Sequence, residues 1–507
     1  MNHLAQRFTP ASLSRLLWAL VLVTLPVTSF RFMPFMGSGT YVRPLAIYPL
    51  VILLPVLLLR IKRREISRPW PGALTVLMAF TLMAIAATAF GATLAPLELR
   101  SIDFFDRALR AWITLIIGLS FFLAAVWMNQ NESDLKFSVC WLLIGLTGHL
   151  IWGVIQFVGL NTGHRQLLYQ IQNLFSVRGL VKNKRISGFA YEPSWLAGQI
   201  ATLYLPWLIA ALLTRYRSLE FRRLPKLSRW LEPLLLLLAL AGVLMTYSRS
   251  GLMIVLVATA VTFALTGKQI LADVWDWARA GFDSKARSPK RLTALWLPAS
   301  RILLALLILA ILAGAAAFLA DKGYIAAFFK SEKTNLFSYA VDVYLGPRLA
   351  YATAALTGFH EHPLTGVGLG ASGFSIYQNM PDWVLAGVPE IANQMNPASK
   401  LYPNPKNMYV RLLTETGVFG LILFLLFYLV LFADCLSLIR VIAGSESTAP
   451  ARGWLATAGI FALVAIFVQG ISQDSFAMPE MWINLGLLAG AALGMQNKNA
   501  ENNEGLL

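Results

Sequence analysis

Long apolar runs separated by short charged hinges dominate this chain. They lie near residues 13–30, 43–59, 72–95, 108–128, 137–160, 193–213, 230–247, 250–266, 301–320, 409–433, 453–470 and 478–495. A helix of about 20 apolar residues is long enough to cross the roughly 30 Å hydrocarbon core of a bilayer. The pattern therefore predicts an all-α polytopic membrane protein of about 12 transmembrane helices. The first run is too long, and too closely followed by others, to read as a cleaved signal peptide. Helices one to nine are expected in 1–320, a long external loop in 321–408, the last three helices in 409–495 and a tail in 496–507. No internal repeat stands out.

Composition agrees with the pattern. Of 507 residues, 57% are hydrophobic and 13% charged, whereas soluble chains run at roughly 45–50% and about 25%. The net charge of +17, from 42 Lys and Arg against 25 Asp and Glu, would raise the question of nucleic acid in a soluble protein. In a membrane protein it first reports orientation, because basic residues gather in cytoplasmic loops. Segments 60–68, 215–229 and 267–301 hold 18 of the 42 and are expected inside, which puts both termini in the cytoplasm. No nucleic acid partner is then needed. Two cysteines, Cys140 and Cys435, leave no disulfide framework and no Cys-based zinc site.

The loops expected outside are 31–42, 96–107, 161–192, 246–250, 321–408 and 471–477. One of them runs against the charge bias: 161–192 carries Arg165, Arg178, Lys182, Lys184 and Arg185. Such residues form either a solvated basic loop or an anion site, where Arg can grip phosphate bidentately.

Four polar features converge on the external side. The first is the segment Arg185 to Ala197, where Pro193 suits the first turn of a helix and puts Glu192 at its start. Glu192 reads either as a cap or as a general base beside a cationic site. The second is the turn Thr246 to Gly251, which pins Arg249 between two apolar helices as a snorkelling anchor or an anion ligand. The third is Gly346-Pro347-Arg348, followed by a helical stretch and by His362 to Gly370. Glycines 366, 368 and 370 lack the strand context of a nucleotide fingerprint and mark a close-packed, non-helical loop. The fourth is Asn404 to Gly420, opening the tenth span with Lys406, Asn407 and Tyr409. Within it, Arg411 and Glu415 can pair at i, i+4, as a structural clamp or facing substrate. His149 reads as a packed histidine, and His360 with His362 completes no metal site.

Together these residues resemble the O-antigen ligase and O-antigen polymerase superfamily. The likeness rests on His362-Pro-Leu-Thr-Gly-Val-Gly-Leu-Gly370, Arg348 upstream, the Ser248-Arg249-Ser250-Gly251 turn, and Asn407 followed by Leu412, Glu415, Gly417 and Gly420. It covers roughly residues 185–435. It implies a bacterial inner-membrane glycosyltransferase of the GT-C-like kind, with short helices in a periplasmic loop over the active site. The implied substrate is a glycan on undecaprenyl pyrophosphate, held among membrane lipids, with no metal or other cofactor; a chain-length regulator is a candidate partner. Ligases of this family typically carry His-Asn, nine residues, Gly, two residues, Gly. Here Lys406 stands where that His would be, and a protonated lysine cannot accept a proton. The segment Tyr191-Glu192-Pro193-Ser194-Trp195 resembles the Glu-Pro-Ser motif of polysaccharide polymerases. Both points favour polymerase over ligase.

The expected chemistry is metal-independent, inverting transfer from the lipid-linked donor. Arg185, Arg249 and Arg348, helped by Lys406 and Arg411, would cradle pyrophosphate; Glu192 or His362 would take the acceptor proton. Asn407, Tyr409 and Glu415 would support the site. A transporter shares the span count, but would place its ionisable residues near the bilayer midplane rather than at one face.

Overall fold

The computed structural model describes residues 9–33, 42–94, 98–178, 184–219, 225–267, 339, 345–382, 384, 388–396, 398–399, 402–442 and 449–504. The expected span 301–320, the start of the long loop, the basic residues of 268–301 and Lys182, Arg222 and Arg223 lie outside the described residues.

Each of the other expected spans falls on a helix. The first group is α1 (Pro10–Thr24), α2 (Ile47–Lys62), α3 (Gly72–Gly91), α4 (Phe104–Met128) and α5 (Glu132–Asn161). A short helix, α6 (Arg165–Phe175), follows. The sixth span is α7 (Pro193–Gln199), a π turn (Ile200–Tyr204) and α8 (Leu205–Thr214). Then come α9 (Pro225–Met245) and α10 (Arg249–Thr266). Three short helices, α11 (Gly346–Glu361), α12 (Ser372–Gln378) and α13 (Pro389–Met395), precede the last spans, α14 (Met408–Ile442), α15 (Ala449–Gly470) and α16 (Pro479–Glu504). A two-stranded hairpin, Glu98–Leu99 with Ile102–Asp103, is the named sheet among the described residues. Seven helices there are long and apolar enough to cross a membrane. α16 runs past the expected end of its span at 495, so the tail is a continuation of the helix as far as Glu504.

Local chemistry sets the helix starts. Thr9, Asp103, Asn131 and Ser248 each accept a backbone N–H of the first turn, and Pro10, Pro193, Pro347 and Pro389 open helices where a missing N–H costs nothing. Packing sets the rest. Many apolar side chains, among them Leu82, Ile116, Leu237 and Leu429, point outward, as expected where hydrocarbon is the solvent. The interior holds four fully buried tryptophans whose N–H groups all find acceptors: Trp18 donates to Ser138 (2.8 Å), Trp207 to Asn484 (2.9 Å), Trp482 to the Phe476 carbonyl (2.7 Å) and Trp454 to the Trp207 carbonyl (3.3 Å). Without water, each such group needs a protein partner. The π turn follows the same rule, since Asn484 donates to the Thr202 carbonyl (2.5 Å), whose i+4 residue, Pro206, has no N–H to offer.

Polar contacts gather at two ends of the bundle. At one end Arg15 pairs with Asp134 (3.0 Å), Arg60 donates to Ser14 (2.6 Å) and Tyr216 to Glu132 (2.5 Å). At the other, Ser29 meets Ser176 (2.8 Å), Arg185 meets the turn after α9, and α11 to α13 pack over the start of α14.

The feature that shapes this second end is a break in α14. Gly417 has φ 67° and ψ −173°, a region that glycine alone adopts readily. The break exposes carbonyls, and the glycine loop after α11 fills the gap: Val367 donates to the Thr414 carbonyl (2.8 Å), Gly368 to that of Glu415 (3.0 Å), and Val418 to that of Pro363 (2.9 Å). Gly366, Gly368 and Gly370 all have positive φ, as the sequence suggested. A side chain at Gly417 would run into the Leu364 carbonyl. Gly417→Ala should therefore cost at least the 1–3 kcal/mol or so of such backbone strain. Gly163→Ala, also at positive φ but in open space, should cost less. Thermal unfolding in detergent checks the order; equal Tm values for the two variants would contradict it.

Candidate functional site

The site grows from one short connection. Between α15 and α16, backbone and side-chain oxygens of Ser472 and Asp474 receive three basic residues from two other segments. Arg348, in the first turn of α11, donates to the Ser472 carbonyl at 2.7 Å. Arg411, one turn into α14, donates through Nη1 to the Asp474 carbonyl. The backbone N–H of Lys406, held at φ 52°, donates to Asp474 Oδ2 at 3.0 Å. Asp474 is buried.

Glu192 lies within electrostatic range of the same group. Arg348 lies in electrostatic range of Glu192 and Asp474, and Lys406 in range of Glu390, Arg348, Asp474 and Glu192. Burial lowers the proton affinity of both cations; the carboxylates oppose that shift, and Arg348 adds to it for Lys406. Burial likewise raises the Asp474 carboxyl above the usual carboxylate range, against the pull of Arg411 and the Lys406 amide. The Lys406 ammonium sits 4.9 Å from the ring centroid of Tyr351. The phenol of Tyr351, bonded to Gln394, is itself pushed up to about 12, first by burial and then by Glu390.

Glu192 opens α7 as the sequence suggested, with Pro193 in the first turn, but its side chain makes no capping bond. The carboxylate instead accepts Ser194 Oγ on one oxygen (2.5 Å) and Arg178 Nη1 on the other (2.9 Å). Arg178 also lies 4.7 Å from the centroid of Tyr191. Arg185 donates to the Thr246 carbonyl at 2.7 Å, tying the basic loop to the turn that carries Arg249. That turn packs against the second turn of α7, so closely that a Cβ at Gly251 would overlap Ala197. Arg185 and Arg249 thus border the helix that Glu192 begins.

Arg411 and Glu415 form the anticipated i, i+4 pair at 3.0 Å, almost fully buried. Glu415 also accepts Ser372 Oγ at 2.7 Å. The Arg411 guanidinium lies 4.8 Å from the Phe476 ring, so it is committed on three sides. Asn407 caps α14, accepting the N–H of Tyr409 (2.9 Å) and Val410 (3.1 Å). The Tyr409 hydroxyl donates to the Phe467 carbonyl (2.6 Å) and holds α14 on α15.

His362 is not brought to this group. It ends α11, about 21 Å along the helix from Arg348 at 1.5 Å per residue, and its ring packs on Phe90 at 5.6 Å. His149 is buried in α5 and accepts the Phe189 N–H at 3.2 Å, a packed histidine as expected. No group of three His, Cys, Asp or Glu able to hold a metal occurs among the described residues. Asp474, Ser472, Tyr351 and Glu390 were not singled out in the sequence. Asp474 lies in the short loop 471–477, one of those expected outside, and that expectation was the available signal.

An all-α membrane protein with a partly buried cluster of cations and carboxylates at one end of its helices is the class this architecture defines. Residues 234–425 match the family model described as O-antigen ligase. The match supports the O-antigen ligase and polymerase superfamily, hence a glycosyltransferase-like enzyme acting on lipid-linked glycans, without distinguishing the two branches. It spans Arg249, Arg348, Lys406 and Arg411, while Arg178, Arg185, Glu192 and Asp474 lie outside it. No curated protein matches the chain.

The buried pair gives a test of the framework. Arg411→Met strands the Glu415 carboxylate and should cost about 3–5 kcal/mol, whereas the double change Arg411→Met with Glu415→Leu should recover part of it. Thermal unfolding of both variants checks this; additive losses would show that the pair is not coupled.

Proposed function

We propose that the protein is a polymerase that joins oligosaccharide repeat units carried on undecaprenyl pyrophosphate, at the periplasmic face of the bacterial inner membrane. The observation that carries the reading is the convergence of Arg348, Lys406, Glu192 and Asp474 at one end of a membrane bundle. A pyrophosphate-linked sugar brings its own activation, so the enzyme must stabilise a leaving group and accept one proton.

In this reading Arg348 and Lys406 bind the pyrophosphate, with Arg249 and Arg185 at its border and Arg178 within reach. Arg411 holds the frame, because its Nε and Nη1 are already engaged by Glu415 and Asp474. The acceptor hydroxyl attacks the anomeric carbon, the bond from that carbon to the pyrophosphate oxygen breaks, and the hydroxyl proton passes to Glu192. The carrier departs as a pyrophosphate whose growing charge the fixed cations neutralise. A single displacement inverts the anomeric centre. Glu192, not His362, is the proposed base, since only Glu192 shares the cationic cluster. Ser194 and Arg178 fix its orientation.

A second reading, transfer of the glycan to lipid A core, rests on the description of the matched domain. Purified protein given a lipid-linked repeat unit alone should produce a ladder of products. Label appearing only after lipid A core is added would establish the ligase instead, and no glycosidic product in either case would sink both readings.

Arg348→Ala should lower kcat/KM about 10²–10³-fold and Glu192→Gln about 10²–10⁴-fold, while His362→Ala stays near wild type. Full activity of Glu192→Gln would remove it as the base. Lys406 loses its proton at lower pH than a free lysine, so donor binding should weaken as pH rises through that lowered value. Lys406→Arg, which stays charged, should extend binding to higher pH. The pH dependence of the donor KM checks this; identical alkaline limbs would remove Lys406 from the anion site.

A further inference from the structure

The helix α6 carries two apolar stripes, and only one is covered by protein. Leu168, Gln172 and Phe175 face inward. Leu168 fills the space left by Gly159, and Gln172 Oε1 accepts Trp152 (3.0 Å) and Gln156 (3.1 Å). The second stripe, Leu167, Ile171 and Leu174, repeats at i, i+4 and i+7, with Ile171 half-buried against the Trp152–Leu168 cluster and Leu167 and Leu174 open. Leu167 is 55% exposed and Leu174 69%.

The surroundings extend this second stripe. Arg31 donates its N–H to the Phe175 carbonyl (2.9 Å) and Val177 donates to that of Ser29 (3.1 Å). These bonds put exposed Phe32 and Val177 beside the end of α6. The helix also sits at a definite level. The outward apolar positions of α5 continue to Val158, about one helical turn before the bend at Gly163 from which α6 starts. At 11 residues, roughly 16 Å, α6 is far too short to cross the bilayer. Its remaining positions are the polar Arg165, Gln166, Gln170 and Asn173 and the amphipathic, exposed Tyr169.

We propose that α6 lies in the plane of the membrane surface at the site end, with Leu167 and Leu174 sunk into the boundary between headgroups and acyl chains. The occupant of the open stripe is lipid. A short amphipathic helix leaving a span at headgroup level has the length, polarity and position for this. The consequence reaches the site: three residues past the end of α6, Arg178 grips Glu192, and Ser176 between them is fixed to Ser29. The membrane surface thereby sets the height at which the Arg178–Glu192 pair is held. The inference concerns the membrane contact and does not depend on which reaction the site performs.

The test uses full-length protein with Cys140→Ala and Cys435→Ala, reconstituted in vesicles of phosphatidylethanolamine and phosphatidylglycerol. Nitroxide labels on Leu167→Cys and Leu174→Cys are compared with labels on Gln166→Cys and Gln170→Cys, all at exposed positions. Paramagnetic relaxation by oxygen and by a water-soluble nickel chelate reads the depth of each. Labels at 167 and 174 should respond several-fold more to oxygen relative to nickel than labels at 166 and 170. Equal nickel access at all four would overturn the proposal. So would protection of 167 and 174 from both reagents, which with spin–spin broadening would mean a second copy of the chain, and without it another protein.

Discussion

The oxygen atoms of Ser472 and Asp474 hold the site together. Arg348, Lys406 and Arg411 come from segments that would repel one another if brought together bare. In the α15–α16 connection two carbonyls accept the guanidinium groups of Arg348 and Arg411 and a carboxylate oxygen accepts the backbone N–H of Lys406, and Glu192 and Glu390 add opposing charge. Neutralisation is incomplete, because burial still lowers the proton affinity of Arg348 and Lys406. Cations held in place but short of solvation suit an arriving anion, since the cost of collecting them has been met by the fold before binding.

The break in α14 makes this arrangement possible. A continuous helix would carry Arg411 and Glu415 into the apolar layer with no room for a loop beside them. Because Gly417 interrupts the helix, the segment after His362 inserts amide groups against the freed carbonyls, and Ser372 reaches Glu415. Non-helical backbone among membrane helices is tolerated where protein satisfies it, and here the glycine loop does so. The same insertion carries α11 over the site with Arg348 at the near end of the helix and His362 at the far one.

Much of this was legible in the sequence. Hydrophobic periods gave the spans, since twenty apolar residues permit little else, and glycines at 366, 368 and 370 announced a tight loop. Glu192 before Pro193 and the Arg411–Glu415 spacing were also readable, because each depends on contacts within one turn of helix. The remaining features depend on long-range packing. Nothing local separates His362 from the cluster until α11 is seen as a straight rod. Asp474 is one acid in a short loop, and its value appears only when the segment of Lys406 and Arg411, more than 60 residues earlier, docks on it. Arg178 stood out as a charge on the unexpected side, but its partner is fixed by the fold.

The most direct test of the account is equilibrium binding of undecaprenyl pyrophosphate to the purified protein, compared with undecaprenol of the same chain length. The account predicts a strong preference for the pyrophosphate that Arg348→Ala and Lys406→Ala each reduce, with undecaprenol binding unchanged. Equal affinity for the two lipids, or a preference untouched by both variants, would contradict the claim that these cations form a pyrophosphate site.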